Sequence, residues 1–420
     1  MPPLVSHPAI RRVITAEGVS NFGTMLTRLA LPWVAALVLQ ATPLQMAWLL
    51  IADVLAAALG GLLLGSWVER SGKRAVMLLA DALRLLLMLW LALATWMGWI
   101  GFSGLLLVAA ANGLLSMAFE LARSAWMAQA VPVHDLPRRN AQLSLVGSLS
   151  ETAAFALGGW LYQWLGAALA FVVDAASYLV SALCLKSVAE TPAQPARSAR
   201  PAQANDSAWR RLWRATALGL RAVADRPRLR ALAGVEALGS FSYGLVATVY
   251  TIFVTRDLAI PPSQVGMVAA MGGLGAVLGA VLAPRLGLLI GPGRTMTLGM
   301  AAFALGGACI PMAGAGWAAL VWLVAHQIVA DAGHTLHDVH DRTLRQTAVP
   351  VALLARADAG IRSAGQIALL AGAVVGGVLG TAVGSRAVLW TAVAAAAAAA
   401  LVAAWWLAER SWVASVPESR

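Results

Sequence analysis

Apolar residues run in stretches of about 20 or more along nearly the whole chain, at roughly 13–38, 44–66, 75–97, 103–127, 141–163, 167–186, 229–254, 263–289, 293–314, 316–338, 355–380 and 384–408. Each stretch is long enough to cross the hydrocarbon of a bilayer as a helix. The pattern predicts an all-α polytopic membrane protein of twelve transmembrane helices, numbered here in chain order. Six lie on each side of a polar stretch. The tightest turns fall around Gly166 and between Gly314 and Gly316. The expected organisation is a six-helix bundle over 1–186, a linker over 187–228 and a second six-helix bundle over 229–420. Within the linker, residues 190–206 are rich in Pro, Ala, Ser and Arg without apolar periodicity, which predicts disorder. Over 209–224, Trp209, Trp213, Leu220 and Val223 recur near helical spacing against Arg210, Arg214 and Arg221. That pattern predicts a helix lying on the inner leaflet, with docking of a cytosolic regulator as the alternative.

Composition agrees with a membrane protein. The chain has 420 residues, of which 60% are hydrophobic and 12% charged, about half the charge of a soluble domain. The formal net charge of +11 would suit nucleic acid, but its location points elsewhere. With the amino terminus inside, the cytoplasmic loops are expected to collect Arg70, Lys73, Arg74, Arg138, Arg139, Arg285, Arg294, Arg342, Arg345 and Arg356, together with the linker arginines, while outside loops keep Arg256 and Arg386. This asymmetry predicts an inner-membrane protein with both termini cytoplasmic and accounts for the charge without nucleic acid. The two cysteines, Cys184 and Cys309, lie in apolar segments and offer neither a disulfide framework nor metal spacing. Arg11 and Arg12 precede an apolar run that is too long for a signal peptide and has no small-residue cleavage site, so it reads as helix 1.

The chain also repeats. Aligning 131–166 with 349–384 at a constant offset of 218 matches 12 of 36 positions, including Val131-Pro132-Val133 with Val349-Pro350-Val351, Gly147 with Gly365, Gly158-Gly159 with Gly376-Gly377 and Gly166 with Gly384. Near the same offset Glu17 falls on Glu236. Helices 1–6 and 7–12 are thus expected to be two copies of one bundle in parallel orientation.

Polar positions inside the spans mark candidate chemistry, because a charge there costs roughly 2.5–3.5 kcal/mol unless it faces water or a partner. Helix 1 carries Glu17, Asn21, Thr24 and Arg28 on one face, and helix 4 carries Asn112, Ser116, Glu120 and Arg123. Helix 7 carries Glu236, Ser240 and Tyr243. Helix 10 carries His326, Asp331, His334, Asp338 and Asp341, the last of these expected at a hydrated helix end. Stripes on the first and fourth helices of each half imply a water-filled passage between the bundles. A carboxylate with restricted solvation can bind and release a proton, so Glu120 and Glu236, then Glu17, are the coupling candidates, each with a structural ion pair as its alternative. Arg28 lies deepest and is expected to pair with an acid or a substrate anion. Substrate contacts would fall to Tyr243, Tyr250 and nearby aromatics. Asp53 and Asp174 read as structural hydrogen-bonding groups.

Between helices 2 and 3 stands Gly65-Ser66-Trp67-Val68-Glu69-Arg70-Ser71-Gly72-Lys73-Arg74, whose two glycines predict a tight turn. The spacing Gly-x-x-x-acid-Arg-x-Gly-basic-basic after the second span resembles the signature loop of the major facilitator superfamily, with Glu69 where Asp is commoner. Ser20-Asn21-Phe22-Gly23 leading to Leu31-Pro32-Trp33, the pair Asp81 and Arg84, Asn140-Ala141, and Gly219-Leu220-Arg221 before Arg226-Pro227 resemble the branch containing macrolide-efflux proteins and the enterobactin exporter. Proton antiporters of the superfamily often carry Gly-Pro before the paired glycines of helix 5, whereas this chain has Ala154-Phe155. The resemblance implies alternating access of the two halves, with Arg70, Asp81 and Arg84 relaying a contact of Glu69. Glu69 is expected to latch against the start of helix 11, where the helix dipole adds roughly 0.3–1 kcal/mol.

The run Asp331-Ala-Gly-His334-Thr-Leu-His337-Asp338-Val-His340-Asp341 invites a metal reading, with a hydrated helix end or a pH-sensitive role for the histidines as alternatives. Glycines at Gly273, Gly275 and Gly279 have no preceding strand and suit close helix packing rather than nucleotide binding. No Walker loop is present. The expectation is a transporter without cofactor or resident metal, acting as a monomer in the lipid bilayer on a small-molecule substrate with protons as the coupling ion. Its leading function is proton-coupled efflux of a small amphiphilic molecule such as a siderophore, macrolide or other drug. Lysophospholipid translocation or uptake by the same fold is the alternative, and a membrane metalloenzyme using the helix 10 histidines is the remote one.

Overall fold

The computed structural model describes residues 7–132, 134–190, 217, 221, 223–224, 226–348 and 351–407. Both expectations for the linker, disorder over 190–206 and a surface helix over 209–224, lie almost wholly outside these residues. Among the described residues there is no strand. The helices are α1 (His7–Trp33), α2 (Pro43–Arg70), α3 (Lys73–Trp96) and α4 (Phe102–Ala130). A 51-residue helical run, Leu136–Lys186, follows and is broken at Gly166 (φ 76°, ψ 169°), giving α5 at 136–165 and α6 at 167–186. The second half comprises α7 (Pro227–Ile252), α8 (Pro262–Ile290), α9 (Pro292–Met312), α10 (Trp317–Ala348), α11 (Val351–Val383) and α12 (Ser385–Leu407). Only glycine adopts the backbone found at Gly166 without strain, so the break is built into the sequence.

The chain divides into two compact units. The first comprises Met1–Ala41, Trp48–Ala208 and Pro261–Met267, and the second Thr42–Ala47, Trp209–Ile260 and Val268–Arg420. In the first, α1 packs along the α5–α6 run, and α3 packs against that run and α4. In the second, α7 packs on α11 and α12, and α9 packs on α10 and α12. The contact pattern is the same. One apolar core gathers Val13, Met77, Phe119, Trp126 and Leu185 from α1, α3, α4 and α6, and another gathers Leu229, Met300, Leu344, Ile361 and Ala399 from α7, α9, α10, α11 and α12.

The repeat extends to backbone irregularities. α1 ends in a π turn at Val34–Val38 and α7 in one at Phe253–Asp257, an offset of 253 − 34 = 219. The same five-residue bonds recur, from Leu39 N to Val34 O and from Leu258 N to Phe253 O. Gln40 (φ 52°) and Ala259 (φ 53°) follow at 259 − 40 = 219. Gly98 and Gly316, with φ of 72° and 85°, match at 316 − 98 = 218, and Gly166 and Gly384, with φ of 76° and 85°, match at 384 − 166 = 218.

Nine helical stretches, which cover ten of the twelve helices, are long and apolar enough to cross a membrane among the described residues. The two outside that set are α1 and α10, both of which carry polar stripes. Trp96, Trp99, Trp164 and Trp317 are 68–80% exposed at the turns between paired helices, where amphipathic rings favour the membrane interface.

Two sequence expectations change. Residues Gly65 to Arg70 are the last turns of α2, so the expected two-glycine turn contracts to Ser71 and Gly72. An apolar and Leu-rich helix does not stop at a glycine that still leaves its hydrogen bonds intact. Similarly, α10 does not end near residue 338 but runs to Ala348. His337, His340 and Asp341 are 6%, 8% and 4% exposed, so the expected hydrated end is a packed one. Hydropathy marks where lipid ends, whereas the helix continues wherever neighbouring helices still cover it.

Candidate functional site

In the first unit the α1 stripe is divided between two tasks. Glu17 Oε2 lies 3.2 Å from Arg123 Nε on α4, with both side chains largely buried. Asn21 Nδ2 donates to the Gly147 carbonyl on α5 at 3.1 Å, and the Thr24 hydroxyl lies 3.0 Å from Tyr178 Oη on α6. Those two residues therefore serve helix packing. Arg28 is exposed and interacts electrostatically with Asp53 on α2. On α4, Asn112 is buried, and its Oδ1 and the Ser116 Oγ are buried oxygens without a protein partner. Buried polar atoms are rarely left so. Glu120 is exposed, and Arg123, expected on the same face, reaches across to Glu17 instead.

The charged segment between α2 and α3 ties helix ends together. Glu69 and Arg70 are exposed. Lys73 is 2% exposed, and its ammonium donates to the carbonyls of Val68, Glu69 and Ser71 at 2.7, 2.7 and 2.9 Å. It closes the C-terminal end of α2, whose last carbonyls have no partner within the helix. Arg74 does the same for α6. Its Nε donates to Leu185 O at 3.2 Å and its Nη2 to Lys186 O, while its backbone N–H donates to Glu190 Oε1 at 3.1 Å. Arg12 on α1 and Trp126 on α4 donate to Ser187 O and Ala189 O at 3.3 and 3.4 Å. Gly72 precedes α3 with extended backbone. Asp81 and Arg84 form a buried pair at 2.6 Å.

In the second unit a cavity of about 480 Å³ opens among α7, α10 and α11, lined by Glu236, Ser240, Asp338, Asp341, Arg342, Arg345, Asp358 and Arg362 among others. Arg345 is its centre. The guanidinium pairs closely with Asp341, four residues earlier on α10, and lies 3.8 Å from both Glu236 on α7 and Asp358 on α11. The side chains of Arg345 and Asp341 are 11% and 5% exposed, whereas those of Glu236 and Asp358 are each 38% exposed. Ser240 Oγ donates to Glu236 Oε1 at 3.4 Å. A separate exposed pair joins Arg342 to Asp338 at 2.8 Å. With Arg342 taken up by Asp338, three carboxylates share Arg345 while the cavity holds one further guanidinium, Arg362, so the acids outnumber the bases by one. Sequence reading singled out Glu236, Ser240, Asp338 and Asp341 here but missed Arg345, Asp358 and Arg362. The i, i+4 spacings Asp341/Arg345 and Asp358/Arg362 were the available signal.

The remaining predicted residues lie apart from this cavity. Tyr243 is 59% exposed. Tyr250 lies with its ring centroid 6.5 Å from that of His326, whose Nδ1 is 3.0 Å from Gly306 O. Asp331 stands against Gly272 of α8, and His334 is exposed with its ring 6.1 Å from Phe303. His340 Nε2 is 2.9 Å from Ala283 O. His326 and His334 thus face α9 and His340 faces α8, and among the described residues no three His, Cys, Asp or Glu side chains group to hold a metal ion.

A family model described as Major Facilitator Superfamily matches the chain over residues 13–235 and 232–419. No curated protein matches the sequence significantly. The chain is similar to the solved structure of the nucleoside transporter NupG, at 15% identity and a TM-score of 0.71 over 95% of this chain and 98% of that one. It is similar to a bacterial homologue of the iron transporter ferroportin in its inward-facing state, at 14% identity and a TM-score of 0.75 over 96% and 99%. A bacterial homologue of the human lysosomal transporter Spinster, inward-facing and unoccupied, aligns at 15% identity and a TM-score of 0.68 over 97% and 98%. At such identities the likeness is one of fold.

Proposed function

We propose, because the chain belongs to the major facilitator superfamily and is a secondary transporter rather than an enzyme, that it exports a small amphiphilic molecule in exchange for protons. The metalloenzyme alternative is withdrawn on that membership. The observation that carries proton coupling is the excess of carboxylates around Arg345. A proton arriving on Glu236 balances that excess and removes one of the three claims on the guanidinium, which changes how α7, α10 and α11 are held together. Glu120 and the Glu17–Arg123 pair are the corresponding candidates in the first unit, and the unpartnered oxygens of Asn112 and Ser116 suit contact with water or a polar part of the substrate. The two six-helix halves would expose the substrate route to each side in turn. Solved relatives of this fold include a nucleoside transporter and a homologue of an iron transporter, so the chemistry of the solute belongs to the cavity rather than to the fold. Efflux rests on the motifs resembling the macrolide and enterobactin exporters; lysophospholipid translocation or uptake is the second reading. We place the monomer in the inner membrane with both termini cytoplasmic, on the distribution of Lys and Arg.

The deciding measurement is substrate-induced proton movement in proteoliposomes screened against amphiphilic compounds. Wild-type protein is expected to move protons with its substrate, and Glu236→Gln to bind substrate without moving them. Proton movement that is the same in wild type, Glu236→Gln and Glu120→Gln would refute coupling through these acids.

A further inference from the structure

A second group of buried charge lies in the first unit, where Arg84 and Asp81 also interact electrostatically with Glu17. Asp174 on α6 and Asp81 on α3 are both fully buried, and the cation between them, Arg84, is 3% exposed. Arg84 is already committed. Its Nη2 donates to Asp81 Oδ1 at 2.6 Å, and its guanidinium sits 4.7 Å from the Phe119 ring and 4.5 Å from the Tyr178 ring. Asp81 Oδ2 accepts from Ser181 Oγ at 2.7 Å. Asp81 and Arg84 therefore cancel, and Asp174 is left to hydroxyl groups.

Those hydroxyls do not suffice for an anion. Ser177 Oγ lies 2.7 Å from the Asp174 backbone carbonyl and 3.2 Å from its Oδ1, so its single proton favours the backbone. Thr27 Oγ1 on α1 lies 2.5 Å from Asp174 Oδ2 and 3.7 Å from Met88 Sδ, so one hydroxyl proton faces two acceptors. The titratable groups acting on Asp174 are Arg84 on α3 and Tyr178 on its own helix, whose hydroxyl also reaches the carboxylate; but Thr24 Oγ1 gives its own proton to Ser20 O at 2.9 Å, so the one proton of Tyr178 Oη, 3.0 Å from Thr24 Oγ1, is drawn there. From α1, Gly23 lies directly against the carboxylate; a Cβ there would collide with Asp174 Oδ1 and Ser177 Oγ. That close approach brings helix backbone where water would otherwise stand. An anion at Asp174 would leave one uncompensated charge in a site sealed from water, which is strongly unfavourable.

We infer that Asp174 is a proton-binding site, occupied in this conformation, and that the carboxylic acid donates through Oδ2 to Thr27 Oγ1. The Thr27 hydroxyl then keeps its proton and donates it as a hydrogen bond to Met88 Sδ, and the donors and acceptors match. The ligand is a proton held between α1 and α6, and the assignment does not depend on Glu236 serving as the coupling acid.

Infrared difference spectroscopy on lipid-reconstituted protein at neutral pH tests it. The wild type minus Asp174→Asn spectrum should show loss of a carboxylic acid C=O band, whereas wild type minus Asp81→Asn should show loss of carboxylate bands. A carboxylate signature for Asp174, or a carboxylic acid signature for Asp81 in its place, overturns the inference. Asparagine is a neutral isostere of the acid, so Asp174→Asn should also melt no lower than wild type. A variant that fails to fold would show that the charge is required and would equally overturn it.

Discussion

At the scale of single residues, Lys73 shows how a charge in a membrane protein can be structural. Its ammonium is buried because three carbonyls at the end of α2 take all three of its protons. Lys73→Met retains the apolar stem and abandons those carbonyls, so it should lower stability by about 1–3 kcal/mol. Arg70→Ala, at an exposed position, should change stability by less than about 0.5 kcal/mol. Thermal unfolding in detergent compares the two. The sequence made the charged segment conspicuous, but it could not divide the labour within it. Lys73, Arg74 and Arg70 are adjacent bases of one type, and only the folded helix ends decide which finds carbonyls and which finds solvent. The same limit hid Arg345, which reads in sequence as one more cytoplasmic arginine and in the structure is shared by acids from three helices.

At the scale of elements, hydropathy located all twelve helices because lipid demands about 20 apolar residues and satisfied backbone in each span. It misplaced ends wherever protein rather than lipid covers the helix, as at α10. The helix breaks carry their own energetics. At Gly166, φ 76° and ψ 169° are accessible to glycine alone, so Gly166→Ala should destabilise by roughly 1–3 kcal/mol. Ala259 pays for a left-handed backbone that its counterpart Gln40 shares, so Ala259→Gly should stabilise by roughly 1 kcal/mol. Opposite shifts in melting temperature are the expected result, and shifts of the same sign would show that local packing outweighs backbone strain.

At the scale of the whole molecule, the prediction concerns switching between conformations. Glu69 is exposed at the end of α2, free of the capping duty that occupies Lys73 and Arg74. If it latches one state, Glu69→Ala should lower transport and increase labelling from the cytoplasmic side of cysteines introduced along the substrate route. Unchanged transport together with unchanged labelling would refute the latch. The family and the twelve-helix plan were legible from the signature spacing and the repeat; the grouping of side chains into one cavity was not, because it joins residues more than 100 positions apart.

The paired bends at Gln40 and Ala259, Gly98 and Gly316, and Gly166 and Gly384 recur although most neighbouring side chains differ. An ancestral polypeptide of half this length had therefore already acquired its corners before its gene was copied and fused. The drift that followed in each copy is what allowed acids to accumulate around Arg345 in one lobe while two aspartates, Asp81 and Asp174, settled fully buried in the other.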